Sequence, residues 1–155
     1  MTEYRGQLRA VGSVAIVVSS YHERITARLL EGALGTCAQA GIAAGQLDVA
    51  WVPGAFELGV TVATLAQSGR YAAVVALGVV VRGETPHFDF VAGETSRALG
   101  ETARATGVPV GFGLLTVDTM AQAVDRAGGG AGNKGAEAAE AAIRTADLHQ
   151  QMARP

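Results

Sequence analysis

Four short apolar runs recur along the chain at intervals of about 30 residues, the repeat length of a strand, a helix and a return strand. The runs are VAIVVSS from Val14, LDVAWVPG from Leu47, AAVVALGVVV from Ala72 and VPVGFGLLTV from Val108. Three of them are almost unbroken in valine, leucine, isoleucine and alanine, as is typical of parallel strands covered on both faces. The LDVAWVPG run is less uniform. The pattern therefore predicts four parallel strands.

Helical patterns lie between these strands. One apolar stripe at helical spacing consists of Ile25, Leu29, Leu30, Ala33, Leu34 and Cys37. Further helices are predicted at residues 57–68, 87–106, 119–127 and 135–148, the last two flanking the glycine-rich break GGGAGNKG. We expect an α/β protein of the three-layer α/β/α, flavodoxin-like class, with a four-stranded parallel sheet and helices on both faces.

The chain is predicted to form one domain over residues 1–155, because 155 residues that are 49% hydrophobic fit one globular core. Residues 13–150 are expected to form that core. Residues 1–12 match neither a helical nor a strand period. We expect them to form an N-terminal arm that is either disordered or paired with a neighbouring subunit.

Charge and composition exclude several classes of protein. Twelve basic and fourteen acidic residues leave a formal charge of −2, which gives no broad basic surface for nucleic acid. No apolar run approaches the roughly 20 residues that cross a bilayer, and residues 1–12 do not resemble a signal peptide. The single cysteine, Cys37, excludes an internal disulfide. We expect a cytoplasmic protein that binds neither nucleic acid nor membrane.

Polar and aromatic residues follow the carboxyl ends of the predicted strands, where ligands bind in an open parallel sheet. The segment after the third predicted strand, RGETPH from Arg82, is the most informative. Thr85 precedes Pro86, so Thr85 is predicted to be a helix N-cap and His87 to lie in the first turn. Free backbone N–H groups and Arg82 would form a phosphate site there, with His87 as a proton-exchanging group. Alternatively, Thr85 and Pro86 only start a helix and His87 is a solvated surface residue.

Other candidate groups carry weaker signals. Glu57 can be a favourable first-turn carboxylate of a helix, and Tyr21 and Phe56 can be core or rim aromatics rather than stacking faces. The three histidines lack metal-binding spacing, so no metal site is expected. GGGAGNKG is not a Walker loop, and its Lys134, the only lysine, is too poorly desolvated there to form a Schiff base.

Several long motifs together resemble the 6,7-dimethyl-8-ribityllumazine synthase family. They are WVPGAFEL from Trp51, ALGVVVRGETPHFDFV from Ala76, VPVGFGLLTVDT from Val108 and DRAGGGAGNKG from Asp125, in the family's order over roughly residues 12–148. The resemblance implies a transferase of riboflavin biosynthesis that acts at the penultimate step without metal or redox cofactor. That enzyme condenses 5-amino-6-(D-ribitylamino)uracil with 3,4-dihydroxy-2-butanone 4-phosphate and releases phosphate and water.

The resemblance also implies roles for residues that bind the aminouracil. Tyr21 would stack on the pyrimidine, at a position where the family more often has Phe or Trp. Glu57 would accept hydroxyls of the ribityl chain, which Ala55 and Phe56 would also line. The uracil edge would be held through backbone groups of Val79, Val80 and Val81, although many relatives have Thr at the first of these. Phe112 would cover the pyrimidine from a neighbouring subunit.

The second substrate is assigned in the same way. Glu84 and Thr85 would present N–H groups to the phosphate of the butanone, and Arg126 would supply positive charge. His87 matches the proton-transfer histidine of the family. The motif match gives the phosphate role to Arg126 rather than Arg82, and it leaves Arg82 as a structural ion-pair partner.

Members of the family assemble as pentamers, and some close twelve pentamers into an icosahedral shell. The uninterrupted GGGAGNKG resembles the shell-forming members, so a homopentamer within a 60-subunit shell is expected, with an enclosed riboflavin synthase as a candidate partner. Three alternatives are a flavodoxin-type flavin-binding protein, an inactive shell scaffold and a lysine-dependent aldolase. The first is disfavoured because SSYHERIT, after the first strand, is bulky and lacks glycine.

Overall fold

The structure, a computed structural model, describes residues 1–155. Its central sheet has four parallel strands in the order β2-β1-β3-β4. The strands are β1 (Val14–Ser19), β2 (Leu47–Val52), β3 (Ala73–Val81) and β4 (Val110–Val117). The four-stranded parallel sheet predicted from the apolar runs is therefore confirmed.

Five helices cover the sheet on both faces, which confirms the three-layer α/β/α class. They are α1 (Glu23–Gln39), α2 (Leu58–Gln67), α3 (His87–Thr106), α4 (Met120–Arg126) and α5 (Lys134–Ala153). Helices α1 and α5 pack against each other on one face, and α2 and α3 pack against each other on the other. Each helix is too short or too polar to cross a lipid bilayer.

Strand β1 shows why the apolar runs are unbroken. Its alternate residues Val14, Ile16 and Val18 belong to the core under α1 and α5. Ala15 and Val17 belong to the second core, under α2 and α3. Because successive side chains of a strand point to opposite faces, a strand covered on both faces needs apolar residues at every position.

Strand β2 lies at the edge of the sheet, and this explains its less uniform sequence. It pairs only with β1, and its Asp48, Val49 and Trp51 are exposed. Strand β4 forms the opposite edge, where Phe112 is exposed. The two edges leave bulky apolar side chains on the surface of the single chain.

The glycine-rich GGGAGNKG segment, expected as a break between two helices, contains a small hairpin. Its strands are β5 (Ala127–Gly129) and β6 (Gly132–Asn133), and Gly128 and Gly132 have positive φ angles of 100° and 83°. The Asn133 side chain accepts a hydrogen bond from the Ala136 N–H at 3.0 Å, and it donates to the Arg28 carbonyl at 2.9 Å. Asn133 thus caps α5 and ties the hairpin to α1.

The N-terminal arm, residues 1–12, lies along α5 of its own chain without forming a helix or strand. Asp147 of α5, whose side chain is fully buried, accepts hydrogen bonds from the Gln7 N–H at 2.8 Å and from the Arg9 guanidinium. The Gln151 side chain donates to the same carboxylate at 2.7 Å. Further along the arm, Gln150 donates to the Val11 carbonyl at 2.8 Å. The buried carboxylate is the main anchor of the arm.

We predict that Asp147→Asn lowers the free energy of unfolding by about 1–3 kcal/mol at neutral pH, because an amide leaves some of these buried donors unpaired. Burial opposes ionisation of Asp147, but the hydrogen bonds from Gln7, Arg9 and Gln151 more than offset it and lower its pKa. A lowered native pKa contributes stability above the unfolded value of about 3.9, and that stability is lost as pH falls through the native pKa. The difference between variant and wild type should therefore shrink below about pH 4.

Thermal denaturation from pH 7 to pH 3 measures this difference. Glu101→Gln is the matched control, because its carboxylate pairs with Arg97 on the exposed face of α3. We expect the melting temperature of that control to follow wild type at every pH. An Asp147→Asn protein as stable as wild type at pH 7 would contradict the anchoring role.

Candidate active site

A cleft of about 750 Å³ opens at the carboxyl edge of the sheet, around the ends of β1 and β3. These two strands are neighbours in the sheet. The chain continues from β1 into α1 on one face of the sheet and from β3 into α3 on the opposite face. Such a change of direction creates a crevice in open α/β sheets. The predicted location of the ligand site, at the carboxyl ends of the strands, therefore coincides with this cleft.

The turn after β1 presents an aromatic face to the cleft. Tyr21 is 64% exposed and lines the cleft, and its ring meets the ring of His22 edge to face at 4.6 Å. His22 is the only non-glycine residue with a positive φ, 57°, and it precedes α1. The Tyr21 N–H donates to Ser19 Oγ at 3.2 Å, which fixes the backbone of the turn.

After β2, a short 3-10 turn (Ala55–Glu57) places a second aromatic ring and a carboxylate on the cleft wall. Phe56 is 63% exposed, whereas Ala55 is buried and its carbonyl accepts a hydrogen bond from Thr95 of α3 at 3.3 Å. The Glu57 carboxylate lies close to the backbone of Gly54, since a Cβ built on Gly54 would be 3.1 Å from Oε2. The sequence-predicted trio of this turn therefore lines the cleft.

Strand β3 continues past the end of its pairing with β1. The β1–β3 ladder ends at Val18 and Leu77, but β3 runs on to Val81. Successive residues of a strand direct their N–H and C=O groups to alternate sides, and the Val74 and Arg82 N–H groups point toward β4. Val80 therefore faces β4, whereas the backbone groups of Val79 and Val81 face the β1 side and have no strand partner there. Val79, Val80 and Val81 all line the cleft. The unpaired backbone groups of Val79 and Val81 can hydrogen-bond the edge of a planar polar ligand.

The loop between β3 and α3 has unused hydrogen-bond donors. The backbone N–H groups of Gly83, Glu84, Thr85 and His87 make no hydrogen bond within the chain. Thr85 and His87 line the cleft, and the exposed Glu84 does not. Several unpaired N–H groups at a helix N-terminus form a favourable environment for an anion.

The predicted N-cap role of Thr85 is wrong. Helix α3 begins at His87, its cap residue is Pro86, and no side chain caps it. Pro86 has φ −69° and ψ 3°, and its carbonyl accepts the first helical hydrogen bond, from the Asp89 N–H at 3.0 Å. Because proline itself has no N–H and no side chain occupies the helix end, the nearby N–H groups remain open to a ligand.

Three of the residues predicted to bind substrate, Glu84, Phe112 and Arg126, do not line the cleft of their own chain. Phe112 is the third residue of β4, opposite Ala76, and is 51% exposed on the edge of the sheet. Arg126 ends α4, and its guanidinium Nη1 donates to the Gln122 carbonyl at 3.2 Å. The structure thus brings together the residues predicted after the first three strands except Glu84, which lies beside Thr85 in the loop, and it leaves Phe112 and Arg126 away from the cleft.

Arg82 pairs with two carboxylates, as predicted for a structural ion-pair partner. Its Nε lies 3.0 Å from Asp118 Oδ1 and its Nη1 lies 3.4 Å from Asp89 Oδ1. The hydrogen bond to Asp118, with the charge of both carboxylates, raises the pKa of Arg82. The Asp89 carboxylate therefore pairs with Arg82, and it makes no hydrogen bond to His87.

The cleft also contains residues that the sequence pattern did not single out as binding groups. They are His22, Gly54, Gly83, Phe88, Phe90, Val91 and Glu94. Val91 and Glu94 lie four and seven residues after His87, so they share its face of α3. Helical spacing from His87 was the available signal for them. Glu94 adds a second carboxylate to the wall that carries Glu57.

The two side chains considered for other chemistry lie outside the cleft. Lys134 is at the start of α5 and forms an ion pair with Glu137 at 3.3 Å. Cys37 is buried in the core under α1, and that burial raises the pKa of its thiol. A charged, paired lysine and a protonated buried thiol are both poor nucleophiles.

A protein-family model described as 6,7-dimethyl-8-ribityllumazine synthase matches residues 12–150. The chain belongs to that family. It is 51% identical over 149 residues to a protein named 6,7-dimethyl-8-ribityllumazine synthase from Gemmatimonas aurantiaca, covering 96% of this chain and 91% of the relative. The lumazine synthase match spans the sheet, every loop of the cleft, and both Phe112 and Arg126. The family resemblance of the sequence motifs is thereby confirmed.

Proposed function

We propose that the chain catalyses the lumazine synthase condensation of 5-amino-6-(D-ribitylamino)uracil with 3,4-dihydroxy-2-butanone 4-phosphate. Phosphate and water are released, and the product serves the last step of riboflavin biosynthesis. The observation that carries the proposal is the cleft itself. Within a chain of the lumazine synthase family, it combines two exposed aromatic faces, a carboxylate, an unpaired strand edge, free backbone donors and a histidine.

The aminouracil fits the half of the cleft between the ends of β1 and β2. Tyr21 and Phe56 offer aromatic faces to the planar pyrimidine. The unpaired backbone groups of Val79 and Val81 can hydrogen-bond the uracil amide groups, whichever side chains these positions carry, with Val80 lining the cleft between them. Glu57, held against Gly54, can accept hydrogen bonds from ribityl hydroxyls, with Ala55 beside it.

The phosphate of the second substrate fits the loop before α3. The N–H groups of Glu84 and Thr85 have no other partner, and the positive end of the α3 dipole favours an anion there. Because Arg126 lies outside the cleft of its own chain, we assign its charge to the cleft of a neighbouring subunit. Phe112, also outside and exposed, is assigned in the same way. Two adjacent subunits would then share each site.

His87 is positioned for the proton transfers of this reaction. Imine formation between an amine and a ketone needs a proton delivered as the carbinolamine loses water, and phosphate elimination needs a nearby proton removed. His87 lies two residues after Thr85 at the start of α3 and lines the same cleft. The loop N–H groups can stabilise the leaving phosphate while the imidazole exchanges protons with the reacting carbons and nitrogen.

An oligomer follows from the division of the site between subunits. Large apolar side chains are exposed around the cleft and on both sheet edges, namely Trp51, Phe56, Val60, Phe90 and Phe112. Large apolar side chains exposed in such number favour an interaction surface. We infer a homopentamer, and from the uninterrupted hairpin segment a 60-subunit shell, in the cytoplasm. An enclosed riboflavin synthase is the partner consistent with such a shell.

We predict that mixing the two substrates with the wild-type protein produces lumazine fluorescence, and that His87→Ala lowers kcat on the order of 10²-fold without abolishing turnover. Turnover should persist because substrate positioning and anion stabilisation remain. His149→Ala is the matched control, since His149 is exposed on α5 outside the cleft. Absence of lumazine formation by wild type would overturn the proposed function, and equal kcat values for all three proteins would overturn the role of His87.

Arg126→Ala should mainly raise KM for the butanone phosphate, by about 10-fold or more, because it removes a charge-assisted contact. KM for the aminouracil should change little. Arg104→Ala, an exposed arginine near the end of α3, is the control. Initial rates measured while each substrate is varied separate the two KM values. An unchanged KM for the phosphate substrate in Arg126→Ala would rule out the assigned contact.

Light scattering at neutral pH tests the assembly. The proposal predicts particles about 60 times the mass of the 15.7 kDa chain. If all particles are pentamer-sized, the shell is contradicted, but the site shared between adjacent subunits is still possible. Only monomers, in a preparation that forms lumazine, would contradict both.

A further inference from the structure

Arg82 joins three elements around the loop that carries the free N–H groups. Its side chain pairs with Asp118, which follows β4, and with Asp89, in the first turn of α3. The guanidinium carbon also lies 4.4 Å from the centre of the Phe88 ring. The backbone N–H of Arg82 donates to the Val117 carbonyl at 2.8 Å, which fixes the start of the loop to β4. Arg82 therefore fixes the start of the loop through its backbone and contacts the end of the loop, the first turn of α3, through its side chain.

The partners of Arg82 are themselves held in place. The Asp118 N–H donates to Gln122 Oε1 at 2.8 Å, and Gln122 forms a capping box with Thr119 at the start of α4. Phe88 is 8% exposed and lines the cleft, directly after His87. Arg82 thus connects a capped helix start on one side with the buried ring beside His87 on the other.

The loop itself has few other constraints. The N–H groups of Gly83, Glu84 and Thr85 make no hydrogen bond, and a Cβ built on Gly83 would meet no atom within 4 Å. Its conformation therefore depends on the positions of its two ends, which are Arg82 and the first turn of α3.

Arg82 is a poor candidate for direct binding of the phosphate. Two carboxylates already surround its single positive charge, so an added phosphate would meet a net negative environment. Arg82 also does not line the cleft.

We propose that Arg82 is a positioning residue: it sets the conformation of the loop 83–86 and the placement of His87, through Asp118, Asp89 and Phe88. The inference rests on the proposed function, because the loop and His87 act there on the phosphate substrate. The ion pairs are exposed, so their contribution to overall stability is small. Catalysis is more sensitive, since a displacement of about 1 Å can change rates on the order of 10²-fold.

The test compares Arg82→Gln, Arg82→Lys and Asp118→Asn with wild type. Arg97→Gln is the matched control, because Arg97 forms an exposed ion pair with Glu101 further along α3. For Arg82→Gln we expect KM for the butanone phosphate to rise and kcat to fall, each by about 10-fold. KM for the aminouracil and the melting temperature should stay close to wild type. Asp118→Asn should show a smaller change of the same kind, and Arg82→Lys should recover only part of the loss because lysine lacks the planar fork.

Hydrogen–deuterium exchange gives a second readout that does not depend on activity. In Arg82→Gln, peptides covering residues 83–91 should exchange faster by about fivefold or more, because the Asp89 and Phe90 amides of the first turn lose their support. Exchange elsewhere, and in Arg97→Gln, should match wild type.

Kinetic constants of Arg82→Gln within twofold of wild type would overturn the proposal, as would unchanged exchange in residues 83–91. If the wild type makes no lumazine, the proposed function fails, and exchange alone then decides whether Arg82 positions the loop. A general loss of stability in Arg82→Gln, with both KM values altered alike, would show a merely structural role and also overturn the proposal.

Discussion

The difference in length between β1 and its neighbour β3 is the constraint on which the candidate site depends. The ladder between them ends at Leu77, and β3 continues for four more residues, to Val81, with β4 as its only partner. The unpaired side of this overhang forms one wall of the cleft. The change of direction between the two strands opens space beside it, so one feature of sheet topology produces both the cavity and its backbone donors and acceptors.

The rest of the site follows from hydrogen bonds that the fold leaves unmade. Pro86 starts α3 without offering a donor, and no side chain caps the helix. The preceding loop therefore retains free N–H groups that would cost stability if they were buried without a partner. Those of Gly83, Thr85 and His87 belong to residues that line the cleft, where an anion can satisfy them. Because such a loop does not stabilise its own conformation, an external brace such as Arg82 becomes important.

The sheet and the location of the cleft could be predicted from the sequence. Burial of a strand on both faces requires an unbroken apolar run, and the loops that follow parallel strands all lie at the same edge of the sheet. The runs beginning at Val14 and Ala72 located the central strands well. The failures came from interactions that periodicity does not encode. Thr85 is a residue type that often caps helices, but Pro86 occupies the cap position and the helix begins one residue later than predicted, at His87. The hairpin in GGGAGNKG depends on two positive φ angles, at Gly128 and Gly132, which glycine permits but does not require.

Phe112 and Arg126 show a different limit, since both lie outside the cleft of their own chain and take part in a site only in the shared arrangement that we propose. The central claim is that His87 and Arg126 of each site come from different subunits. The test is to co-assemble equal amounts of His87→Ala and Arg126→Ala subunits and to measure the activity of the mixed assembly. Each parent assembly should have low activity at substrate concentrations below KM. With random mixing, about a quarter of the sites would combine an intact His87 from one subunit with an intact Arg126 from its neighbour. We therefore expect the mixed assembly to recover about a quarter of wild-type activity. Activity no greater than the average of the two parents would contradict the shared site.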